Sequence, residues 1–201
     1  DNWNKRNEFK IFIGYSWFVA MTLKQKLEGI YLDDSFNHAD IDSLIFDCDG
    51  VLIDITKSYD QTIVTTAKYV LETLANIDDS IDIDFKIIDG FKSTGGFNDE
   101  VDLTYAAILS IVAAKKLKKD QTEFIFTVIK NSDSTGIKSV EIFLKNQVDI
   151  SKIVNQLSYP GSHKENILYQ IFDQLFYGPE LYLKLFKNNS KFSDPGLIEN
   201  D

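Results

Sequence analysis

Asp47 and Asp49 stand one residue apart in the stretch SLIFDCDGVLID, Ser43 to Asp54, directly after an apolar run. In an extended chain, residues i and i+2 point to the same face. Two carboxylates placed in that way can divide the work of phosphoryl transfer. The first attacks phosphorus and forms an aspartyl-phosphate. The second protonates the departing alkoxide, then takes a proton from the water that cleaves the intermediate. A magnesium ion beside Asp47 would neutralise carboxylate and phosphate together, letting two anions approach. Gly50 lets the backbone turn without a Cβ clash and leaves N–H groups free for a phosphate. Metal-binding D-x-D pairs in glycosyltransferases and plain acidic turns share the pattern, so the spacing alone leaves three readings open.

The elements that must hold these carboxylates are legible as periodicities. Leu44, Ile45 and Phe46 form a short apolar run of the kind that makes a buried strand. Before it, residues 22–30 read as a short amphipathic helix ending near Gly29, and 33–42 as an acidic loop. Beyond Asp54 the period becomes helical through Tyr59, Ile63, Ala67, Val70, Leu71 and Leu74, with Ser58 and Gln61 spaced as a capping box. The run NIDDSIDIDF, 76–85, lacks the ligand spacing and central glycine of a calcium loop and reads as a solvated linker to a short helix around Phe85–Ile88. Residues 101–119 form a strong helix with lysines massed at its end, where cations favour the helix dipole. Residues 121–130, 137–147, 164–177 and 179–187 also read as helical, although EFIFTVI within the first of these has the composition of a strand. Residues 191–201 read as a loop.

Composition narrows the partners. The 201 residues are 44% hydrophobic, with 15 Phe and 9 Tyr, enough for a globular core. A formal net charge of −10 argues against binding nucleic acid or an anionic membrane surface. Cys48 is the only cysteine, which fits a reducing cytoplasm, and its position reads as a small residue packed beside a strand. Residues 9–20 are apolar but shorter than the roughly 20 residues that span a bilayer. The only methionine is Met21, and residues 1–20 read either as read-through from upstream or as a native N-terminal element. The only arginine, Arg6, lies in that segment, so from Met21 onward no bidentate arginine clamp for phosphate exists.

The longer string FDCDGVLID resembles the first motif of the haloacid dehalogenase-like superfamily, an apolar strand followed by D-x-D-G-(T/V)-(L/I)-x-D. Asp47, Asp49, Gly50, Val51, Leu52 and Asp54 match it. The resemblance implies an α/β fold, the start of a Rossmann-like core with one clear core strand, carrying an inserted all-helical cap as in the phosphoglycolate-phosphatase-like branch. It implies that Asp47 is the nucleophile and Asp49 the acid/base, with Mg2+ held by the Asp47 carboxylate and the Asp49 backbone carbonyl. The segment FKSTGGFNDEVDLTYA, 91–106, resembles the cap loop of a set of these hydrolases, as does the ending FDQLFYGPELYLKLF…PGLIEND. That likeness gives Lys92, Gly95, Gly96 and Asn98 a role in contacting substrate, as Gly50 has at the motif. From the residues alone, Gly95-Gly96 is equally a flexible turn, with Asn98 or Asp99 capping the next helix.

The expected organisation is an N-terminal extension over 1–40, the first core strand and motif loop over 41–57, a helical cap over 58–190 and a return linker over 191–201. The Ser/Thr, Lys and acidic residue of the family's later motifs are not found; Thr127 and Lys164 match only superficially. The chain therefore reads as a fragment, inactive or nearly so alone, of a magnesium-dependent cytoplasmic phosphatase acting on a small phosphorylated substrate. The alternatives are a phosphomutase or dehalogenase on the same scaffold, or a non-catalytic binding protein. Nothing in the sequence sets the oligomeric state.

Overall fold

The computed structural model describes the backbone of Ile11–Ile13, Leu23–Leu27 and Ile30–Asp33, together with Ile45, Phe46, Cys48 and residues 52–200. The chain divides into two compact units, Asp1–Phe46 and Asp47–Asp201.

In the first unit, β1 (Ile11–Ile13), β2 (Leu23–Leu27) and β3 (Ile30–Asp33) form a three-stranded sheet in the order β1-β3-β2. β1 pairs parallel with β3, Ile11 opposite Ile30, while β2 pairs antiparallel, Leu23 opposite Asp33. The helix expected over 22–30 is thus replaced by strands. Leu23 and Leu27 fit helical spacing, but Leu23, Gln25 and Leu27 fit a period of two as well, and pairing with β3 decides between them.

The second unit is helical. It contains α1 (Gln61–Thr73), α2 (Phe85–Lys92), α3 (Glu100–Leu117), α4 (Gln121–Lys130), α5 (Ile137–Lys145), α6 (Ser151–Leu157) and α7 (Ile167–Phe186). The expected α/β, Rossmann-like architecture is overturned. The described sheet is a small mixed one confined to the first unit, and no described helix connects its strands. Ile45 and Phe46, the end of the expected core strand, lie outside any strand and are 98% and 63% exposed. Three apolar residues make a buried strand only when neighbouring strands pair with them, and among the described residues none pairs with Ile45 or Phe46. Cys48, expected to pack beside that strand, is exposed.

α3 is the centre of the helical unit. Leu103–Ala114 is buried along its whole length, as expected of a helix that is apolar on all sides and enclosed by others. It packs against α1, α2, α4, α5 and α7. Side chains start these helices: Asp84 accepts from Lys86 N and Ile87 N, Asp99 from Val101 N and Asp102 N, Asp120 from Glu123 N, and Asn166 from Leu168 N. The capping box expected from Ser58 and Gln61 does not form. Ser58 is buried in a π-helical turn, Thr56–Asp60, and its hydroxyl donates to the Ile55 carbonyl. The lysines ending α3 do more than offset its dipole: Lys115 pairs with Asp79, and Lys116 donates to the Asp149 carbonyl at 2.7 Å.

The short helix α6 was not anticipated from the sequence; Asp149, whose carboxylate accepts from Ser151 N at 2.9 Å, marks its start. α7 is interrupted at Gly178, where φ is +69°, because the Gly196 backbone lies where a side chain would sit. The final segment is thereby fastened to α7 rather than trailing as a loop. Lys191 N donates to the Gln174 side chain at 2.6 Å, and Leu197–Asn200 forms a 3-10 turn. No helix among the described residues is long and apolar enough to cross a membrane.

Candidate functional site

A cleft of about 370 Å³ opens where the start of α3 meets α7. Asn98, Asp99, Glu100 and Val101 supply one wall. α7 supplies another through Tyr169, Phe172, Asp173, Phe176 and Tyr177, whose i, i+3, i+4, i+7, i+8 spacing puts them on one helical face. Tyr59 from the π-helical turn and His163 from the loop before α7 complete it. The wall at α3 is set from behind by Gly96: a Cβ there would lie 2.5 Å from both the Asp133 carbonyl oxygen and Gly136 N, so only glycine permits the two loops to meet.

The site is electronegative. Asp173 is buried, and burial pushes its carboxyl up to about 6, with nearby Asp99 adding to the shift and His163 opposing it. His163 Nδ1 lies 3.4 Å from the Asp173 carboxylate, and its ring stacks on Tyr169 at 4.2 Å between centroids. Behind the cleft, the Tyr159 hydroxyl donates to Asp102 at 2.5 Å and lies 3.3 Å from the Tyr169 hydroxyl. Burial also raises Asp102, partly offset by the Tyr159 hydrogen bond. The same burial raises the Tyr159 and Tyr169 phenols.

The residues expected from the sequence are only partly brought together. Asn98 lines the cleft and Asp99 beside it caps α3. Lys92 does not line it; its ammonium pairs with Glu100 at 3.5 Å. Gly95, at φ +78°, turns the chain in open space, and Gly96 is a packing residue. Thr127 is exposed and donates to the Glu123 carbonyl, while Lys164 is exposed in the loop before α7. Asp47, Asp49 and Gly50 lie outside the described residues. Around them, the Cys48 carbonyl accepts from Leu52 N at 2.8 Å and Ile53 N at 3.0 Å. The Asp54 carboxylate accepts from Thr56 N at 3.0 Å, starting the turn that leads to Tyr59 and α1.

Asp173, His163, Asp102 and Tyr159 were not singled out from the sequence. The available signal was an aspartate inside the aromatic stripe of α7 and one of only two histidines close before it. Among the described residues, no group of three or more His, Cys, Asp and Glu side chains is placed to hold a metal ion. Comparison with protein-family models, curated proteins and solved structures finds no match.

Proposed function

We propose that the chain carries the nucleophile pair and the substrate-selecting helical part of a magnesium-dependent phosphomonoesterase with haloacid dehalogenase-like chemistry. The observation that carries this reading is the string Asp47-x-Asp49-Gly50-Val51-Leu52-x-Asp54. Asp47 attacks phosphorus and the ester oxygen departs with a proton from Asp49. Asp49 then takes a proton from water, which cleaves the aspartyl-phosphate and releases inorganic phosphate. The Asp47 carboxylate and Asp49 carbonyl would hold the magnesium ion, whose contribution is to neutralise charge between the two anions.

The 201 residues offer no assigned phosphate-binding Ser/Thr, Lys or further acidic ligand, so hydrolysis is expected to be weak from them alone. The test is a panel of small phosphate esters with magnesium, comparing wild type with Asp47→Asn. Loss of turnover on Asp47→Asn is expected; retained turnover sinks the nucleophile assignment.

A further inference from the structure

The lining of the α3–α7 cleft is poorly suited to a phosphate. Asp99, Glu100 and Asp173 face it, and His163 is the only basic side chain among its lining residues. Glu100 is offset by Lys92 and Asp99 in part by the α3 amides it caps, so the least compensated charge is that of buried Asp173. His163 answers it only in part, because its side chain is 53% exposed at the rim while that of Asp173 is 10% exposed.

The remaining walls are aromatic, with Phe172, Phe176 and Tyr177 on α7 beside Tyr169. Carboxylates beside aromatic side chains suit a weakly hydrated organic cation, attracted by charge and by the quadrupoles of the half-buried Tyr59, Tyr169 and Tyr177 rings. A hard metal ion would instead need several oxygen ligands converging on one point, which the described residues do not offer. A volume of about 370 Å³ lies at the small end of ligand pockets, enough for an alkylammonium group and a short tail.

We propose that this cleft binds an organic ammonium group, with Asp173 and Asp99 supplying the charge and the α7 rings the contact surface. The raised Asp173 carboxyl accords with this, because a bound cation would relieve the cost of ionising it in a buried position.

Calorimetric titration of the chain with choline, and with its uncharged carbon isostere 3,3-dimethyl-1-butanol, tests the site without any phosphate ester. Choline is expected to bind at least about tenfold more tightly than the alcohol. Asp173→Asn should weaken choline by about tenfold. Asp99→Asn is the control for folding, since asparagine caps α3 as well as aspartate does, and it should weaken choline while melting like wild type. Equal binding of the two probes, no binding of choline, or wild-type affinity in both aspartate variants overturns the proposal. Neither probe carries a phosphate, so the titration decides the cleft alone, and the Asp47→Asn comparison on phosphate esters decides the nucleophile assignment alone.

Discussion

Replacing Asp173 by asparagine tests whether a buried charge sits in the cleft wall. Its carboxyl is held at about 6 in the folded chain, chiefly by burial, against an ordinary value of 3.8. A raised carboxyl binds its proton more tightly folded than unfolded, so stability from this group is greatest below pH 3.8 and falls as pH rises towards 6. Linkage gives a cost of about half a kcal/mol at pH 4, growing to about 3 kcal/mol at pH 7.5. Asp173→Asn keeps the shape and removes the ionisation, so it should gain about 2 kcal/mol relative to wild type between those pH values. Urea unfolding followed by circular dichroism at pH 4 and pH 7.5 measures this. The double difference against wild type cancels the titrations the two proteins share. A variant destabilised equally at both pH values would refute the reasoning, because the carboxylate would then be fully satisfied when charged.

Gly96→Ala should destabilise by about 3 kcal/mol, since the new methyl meets the Asp133 and Gly136 backbones rather than a movable side chain; wild-type unfolding would show that the contact is slack. Tyr159→Phe removes the hydrogen bond to Asp102, a half-buried carboxylate, and should cost about 2 kcal/mol at neutral pH in the same unfolding assay. Because protonated Asp102 needs that donor less, the cost should shrink at pH 4; a constant cost would mean that the hydrogen bond is not the cause.

The sequence by itself determined the longer helices of the second unit, though not the short α6 or the start of α1. The apolar residues of α1 and α3 recur at helical spacing. EFIFTVI, ambiguous on composition, lies within the expected helix, α4. Asp99 caps α3, one of the two residues weighed for that role. These features depend on nearest neighbours along the chain, so local pattern suffices to read them. The pairing of 23–27 with 30–33, the exposure of Ile45 and Phe46, and the burial of Ser58 in a π-helical turn depend on partners distant in sequence.

The same division runs through the site. Asn98 and Asp99 are neighbours within the segment 91–106, whereas Asp173 in α7 lies 74 residues beyond Asp99. Only the tertiary packing of α7 beside α3 put those two carboxylates close enough for Asp99 to push Asp173 upward. A carboxylate's proton affinity is set by burial and by nearby charge, and neither is written in its local sequence.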